Sequence, residues 1–223
     1  MSTEVTSVKI NENHVENNNE NNNENNNENL TRGLKFDIKD DKGNTPLALA
    51  SQNGYTEIIE ILCSTKTKQI GINVSNNDGN TPLLLACTKD CREGVKALIK
   101  RGANRHHVNN NGENALMIAC KNGHIGVVEE LMKAPEIDDD VEEEIDENEI
   151  DPNDVDKNDN SALSLAADAS HIHIVRYFME NFFDILTERV TNHAYKIAEG
   201  KGFQEILKII PLRQYSKPAR PAC

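Results

Sequence analysis

The stretch Gly43-Asn44-Thr45-Pro46-Leu47-Ala48-Leu49-Ala50 decides the fold, because it returns 36 residues later as Gly79-Asn80-Thr81-Pro82-Leu83-Leu84-Leu85-Ala86. Weaker copies follow at Gly112-Glu113-Asn114-Ala115-Leu116-Met117-Ile118-Ala119 and Asp159-Asn160-Ser161-Ala162-Leu163-Ser164-Leu165-Ala166. The strictest marker is the alanine, at Ala50, Ala86, Ala119, Ala166 and Ala198, with spacings of 36, 33, 47 and 32. A fixed period in this range marks stacked repeats, none of which buries its apolar face alone. The basic unit is therefore about 33 residues, and one unit carries a long insertion.

Read outward from the alanine, each unit has the same parts. Thr45 or Thr81 caps a helix, and Pro46 or Pro82 takes the first helical position, where its missing N–H costs nothing. Leu47, Leu49 and Ala50 share one helical face, as do Leu83, Leu85 and Ala86. A break follows at Asn53-Gly54 and Asn122-Gly123, where glycine takes a left-handed, helix-ending conformation. A second amphipathic helix comes next: residues 57–62, with counterparts at 94–99, 126–132, 173–178 and 205–210. Between units, Gly102-Ala103-Asn104 leads into the turn Asn109-Asn110-Asn111-Gly112, which can project as a hairpin tip.

The combination of Gly-x-Thr-Pro-Leu, the alanine and Gly-His-x-x-Val-Val at 123–128 resembles the ankyrin-repeat family over residues 35–213. The resemblance implies an all-α fold: an ankyrin-type solenoid of about five helix–turn–helix units with hairpin fingers, used for protein recognition. The units are 35–69, 70–103, 104–136, 151–184 and 185–213, with an acidic insertion at 136–150 and tails at 1–34 and 214–223. Two departures stand out. The family's histidine after Thr-Pro-Leu is replaced by Ala48, Leu84, Met117 and Ser164, so its side-chain hydrogen bonds are expected to be absent. The fifth unit has His193-Ala194-Tyr195 where Thr-Pro-Leu belongs, as a C-terminal cap would.

The family makes its contacts with finger tips and the exposed ends of first helices. Carried over by position, these are Asp41, Lys42, Asn44, Gln52 and Asn53 in the first unit and Asn77, Asp78, Asn80, Thr88 and Lys89 in the second. The third supplies Asn110, Asn111, Glu113, Lys121 and Asn122; the fourth Lys157, Asn158, Asn160 and Asp168. The set contains no aromatic and no arginine, the types that dominate interface hot spots, so it predicts modest, adaptable affinity.

Charge is where the chain is unusual. The net charge is −13, yet residues 136–156 alone hold 13 acids and no Lys or Arg, and residues 1–30 hold six acids and one lysine. The remainder has 23 basic and 18 acidic groups, so the scaffold itself is mildly positive. Residues 11–29 contain twelve asparagines, with Asn-Asn-Asn-Glu repeated three times, and too few apolar residues to offset ordering entropy; this tail is expected to be disordered. The insertion, from Glu136 on, reads either as a solvated acidic loop or as an electrostatic contact arm. Ile137, Val141 and Ile145 would form one helical face on docking.

The rest of the composition narrows the function classes. The first thirty residues are polar, unlike a signal peptide, and apolar runs such as 83–87 and 115–120 are far too short to span a membrane. Five cysteines without framework spacing suit a reducing, cytoplasmic or nuclear location. An acidic chain without basic–aromatic interleaving disfavours nucleic acid. Asp154-Val155-Asp156 opens like a calcium loop, but Asp159 and Leu165 stand where glycine and the closing glutamate belong. Cys87, Cys91, Cys120 and His124 form a zinc-competent set of residue types, although buried packing explains them better. No nucleophile pattern accompanies the histidines, and no cofactor site stands out. The sequence thus leads to a non-catalytic, monomeric protein that binds a protein partner through fingers and inner helices. Three alternatives stay open: a regulatory subunit of an enzyme complex, a scaffold whose acidic loop recruits a basic partner, and an enzyme without a nameable nucleophile.

Overall fold

In a computed structural model of the protein, which describes residues 38–64, 71–133 and 150–211, the helix-start signals act where the repeat puts them. Among the described residues ten helices run in pairs, inner then outer. They are α1 (Pro46–Asn53) with α2 (Thr56–Ser64), α3 (Pro82–Ala86) with α4 (Arg92–Lys100), and α5 (Ala115–Asn122) with α6 (Ile125–Leu131). The series closes with α7 (Ala162–Asp168) and α8 (Ile172–Asn181), then α9 (Glu188–Lys201) and α10 (Gln204–Ile209). Thr45 accepts the Ala48 N–H at 3.2 Å and Thr81 the Leu84 N–H at 3.4 Å. Asn114 and Ser161 do the same for Met117 (3.0 Å) and Ser164 (3.2 Å), so one amide per inner helix is satisfied without the threonine. Gly54 and Gly123 end α1 and α5 in the left-handed region, at φ 71° and 80°. At Gly123 a Cβ would also lie 2.5 Å from the His171 ring, which would have to turn aside, but the positive φ is what favours glycine there.

These elements stack in two layers. Inner helices pack on inner helices, α1 on α3, α5 on α7 and α7 on α9, while α2 packs on α4, α4 on α6 and α8 on α10 in the outer layer. The result is the all-α ankyrin-type solenoid the repeat implies, and its core is one continuous seam. Ala86, Ala119, Ala166 and Ala198 are fully buried in that seam and Ala50 nearly so. Replacing Ala86 with leucine should overpack the α1–α3 contact and cost about 2 kcal/mol; an unchanged urea midpoint would contradict the stacking.

Two local expectations need correction. Ser164 does recover side-chain hydrogen bonding after the inner-helix cap. Its Oγ accepts the Ser161 N–H at 2.9 Å and donates to the Ser161 carbonyl at 2.9 Å, forming a reciprocal cap. The other three replacements, Ala48, Leu84 and Met117, are apolar and buried. In the fifth unit the helix start is displaced rather than lost: Thr187 caps α9 six residues before His193, so His193-Ala194-Tyr195 lies mid-helix. A further feature concerns the link before the third finger. The Arg105 guanidinium is buried and donates to the carbonyls of Leu131 and Lys133, the latter at 3.1 Å, closing the C-terminal end of α6. The Asn-rich tail and residues 134–149, which include all of the acidic insertion but Ile150, lie outside the described residues.

Candidate functional site

The fingers share one construction in five residues: 40–44, 76–80, 109–113 and 156–160. The first side chain, Asp40, Asn76, Asn109 or Asp156, accepts two backbone N–H groups with Oδ1. One comes from the third residue (Lys42, Asp78, Asn111 or Asn158) at 3.0, 3.1, 2.9 and 2.8 Å. The other comes from the fifth (Asn44, Asn80, Glu113 or Asn160) at 2.7, 2.9, 3.0 and 2.8 Å. Short polar side chains suit this task because they mimic a backbone turn. The fourth residue is left-handed in every finger: glycine at 43, 79 and 112, and Asp159 at φ 67° in the last, where its carboxylate also pairs with Arg189.

Adjacent fingers are joined by rungs. The Asn77 N–H donates to the Lys42 carbonyl at 2.9 Å, Asn110 to Asp78 at 3.1 Å, and Lys157 to Asn111 at 3.2 Å. Side chains repeat the pattern: Asn77 Nδ2 reaches the Asp41 carbonyl, Asn110 Nδ2 that of Asn77, and Lys157 Nζ that of Asn110. Below them, Asn76 Nδ2 donates to Asn44 Oδ1 at 2.9 Å and Asn109 Nδ2 to Asn80 Oδ1 at 3.1 Å. The asparagines of the finger row are thus first of all a hydrogen-bonded scaffold.

Between the second and third fingers and the inner helices lies a depression of about 410 Å3. Eight of the residues assigned by resemblance line it: Asp78, Asn80, Thr88, Asn110, Asn111, Glu113, Lys121 and Asn122. Asn109 and Ile118 complete the lining, and sequence reading missed both. Asp41, Lys42, Gln52, Asn53, Asn77, Lys89, Lys157, Asn158 and Asp168 are exposed outside it, and Asn160 is half-buried. Asn44 is buried at 2% exposure, held by Asp40 and Asn76, which leaves it no free surface. Asp168 is engaged by Lys201 at 2.7 Å.

Glu113 is the electrostatic centre of the depression. Burial alone would raise its pKa, but hydrogen bonds from Asn109 (2.9 Å), Lys121 (2.9 Å) and Asn111, with the Lys121 charge, hold the carboxyl below the usual carboxylate range. Glu113 is 8% exposed, so Lys121 rather than Glu113 presents charge to a ligand. The lining therefore offers amide groups, the exposed Asp78 carboxylate and one ammonium above a satisfied floor.

The other candidate centres have local partners. Cys87 and Cys120 are fully buried, and burial pushes both thiols well up. Cys91 Sγ lies 3.0 Å from Thr56 Oγ1, and His124 Nε2 lies 3.2 Å from the Thr88 carbonyl. Asp156 serves its finger, and Asp154 accepts from Asn114 Nδ2 at 3.2 Å. Among the described residues no group of three or more His, Cys, Asp and Glu is arranged to hold a metal, and no helix is long and apolar enough to cross a membrane.

Comparison with known families gives one result. The family model described as ankyrin repeats matches the chain in three copies, over residues 16–106, 70–143 and 95–189. No curated protein matches the chain.

Proposed function

Because the chain belongs to the ankyrin-repeat family, whose members are generally protein–protein interaction modules, we propose that it is a non-catalytic adaptor, scaffold or inhibitor that binds a protein partner through its fingers and inner helices. The depression between the second and third fingers carries this reading, since it gathers eight of the family-assigned positions on a rigid floor. Its chemistry is polar and carries few anchors. It fits an extended segment rich in hydrogen-bonding groups, held with the moderate affinity expected where no aromatic or arginine hot spot is present. The acidic insertion acts as a secondary contact.

Asp78 and Asn122 are both exposed in the lining; among the described residues the Asp78 side chain makes no hydrogen bond, and that of Asn122 donates only to the Ile118 carbonyl of its own helix. Asp78→Arg with Asn122→Arg should lower partner affinity by roughly tenfold or more while changing stability by no more than about 0.5 kcal/mol. Quantitative capture from lysate checks this, comparing the intact chain, the double variant and a chain lacking residues 138–149. A partner retained equally by the intact chain and the double variant removes the groove from the mechanism. A partner lost only with 138–149 transfers recognition to the acidic loop.

A further inference from the structure

Away from the fingers, the first unit exposes a face that later units keep covered. Tyr55, Ile58 and Ile61 succeed one another at every third residue, one stripe of a helix, and are 55%, 47% and 63% exposed. Glu57 and Glu60 beside them are exposed too. Counted from each unit's core alanine, Ile58 corresponds to Gly94, Val127, Ile174 and Ile206, all of them buried. The cover in those units is the preceding outer helix: a Cβ at Gly94 would meet Ile59 of α2 at 3.0 Å, and α4 packs on α6.

The α4–α6 contact shows which chemistry the face accepts. Arg92, opening α4, reaches Glu129 at 3.3 Å and Glu130 at 3.2 Å on α6, above the fully buried Val127. In α2 the corresponding residues are Glu60 for Glu129, Ile58 for Val127 and the apolar Ile61 for Glu130, so one of the two acids is kept. An acidic residue flanking an apolar stripe is thus repeated, and among the described residues no preceding outer helix lies over it. One unit upstream, the same register reads Glu24-Asn25-Asn26-Asn27-Glu28-Asn29-Leu30-Thr31. It offers one apolar residue, where α4 brings Val95, Ala97, Leu98 and Ile99, and it contains glutamates but no Lys or Arg.

We propose that this face is a second docking site, for a basic amphipathic helix of another protein. Its apolar residues would lie on Ile58 and Ile61, and an Arg or Lys near its N-terminus would pair with Glu60, as Arg92 does with Glu129. Helices recognised in this way are read through anchors three and four residues apart. The site is separate from the depression between the fingers, so either can fail without the other.

The probe is a fluorescent peptide of residues 90–103, this chain's own α4, with Cys91 replaced by serine, titrated into the full-length protein. Ile58→Asp should abolish binding, and Glu60→Arg should weaken it by about tenfold. The peptide carrying Arg92→Glu should recover that loss against Glu60→Arg, while Asp78→Arg should bind the original peptide as the unaltered chain does. Absence of binding, or equal binding by Ile58→Asp, overturns the proposal. A concentration-dependent dimer in sedimentation equilibrium that Ile58→Asp abolishes assigns the face to a second copy instead. A gain in peptide affinity on changing Leu30 and Leu34 to aspartate assigns it to the chain's own upstream segment. Either result also overturns the proposal.

Discussion

Replacing Phe178 with alanine is expected to lower the unfolding free energy by about 3–5 kcal/mol. Phe178 is fully buried on α8, and its ring packs edge-on to Tyr177 at 6.3 Å between centroids and tilted to Phe182 at 6.0 Å. The substitution removes the transfer free energy of a whole ring and opens a cavity lined by groups that α8 and α10 hold in place. It also strips two aromatic contacts, each worth about 0.5–1.5 kcal/mol beyond burial. The chain has five phenylalanines and no tryptophan, and Phe178, Phe182, Phe183 and Phe203 all fall in its last two units. The damage should therefore concentrate at the C-terminal end, because each repeat contacts only its neighbours. Urea unfolding should show the midpoint shift, and hydrogen exchange should rise in α8 to α10 far more than in α1 and α2. A loss spread evenly along the stack, or below about 1 kcal/mol, would show that the aromatic cluster is not the anchor of this end.

The second large effect is expected at Asn109, changed to alanine. Its Oδ1 accepts the Asn111 and Glu113 N–H groups, and its Nδ2 donates to Asn80 Oδ1 and Glu113 Oε2. Removing it strands the buried Glu113 amide and takes one donor from the Glu113 carboxylate. Each buried group left unsatisfied costs about 1–3 kcal/mol, so a loss of about 3 kcal/mol follows. Asn109→Asp separates the two roles. It keeps both acceptor bonds, as Asp40 and Asp156 do in their fingers, but sets a second carboxylate against Glu113. The aspartate variant should regain about half the loss at neutral pH and more in mild acid, where one carboxyl becomes protonated. Equal stability for the alanine and aspartate variants across pH would show that the acceptor bonds carry no weight.

The fold was legible because its cues are local. A cap before each first helix, a proline in two units, an alanine recurring at 36, 33, 47 and 32 residues and a glycine after three of the five first helices can be read one unit at a time. The fifth unit shows the limit. Its cap, Thr187, stands out of register, so the period points to His193 instead. Ser164 shows a related limit, since its Oγ bonds to the neighbouring cap where the position implies no side-chain hydrogen bond. At the candidate site, eight of the positions expected from the resemblance line one depression, and the exposure of each depends on its neighbours. Asn44 and Glu113 sit at equivalent tip positions and are buried because adjacent side chains close over them. One cue could have revealed this: an Asp or Asn stands four residues before Asn44, Asn80, Glu113 and Asn160 alike.

The rung from Lys157 to Asn111 crosses the longest link in the chain and still closes at 3.2 Å. Finger positions are therefore indexed by contacts between tips, and the length of intervening chain has no say. For an engineer this divides the molecule into writable and read-only text. A reporter or epitope grafted into 134–149 should leave the address of every finger unchanged, whereas one residue added within 109–113 would break the reading frame of the row on both sides.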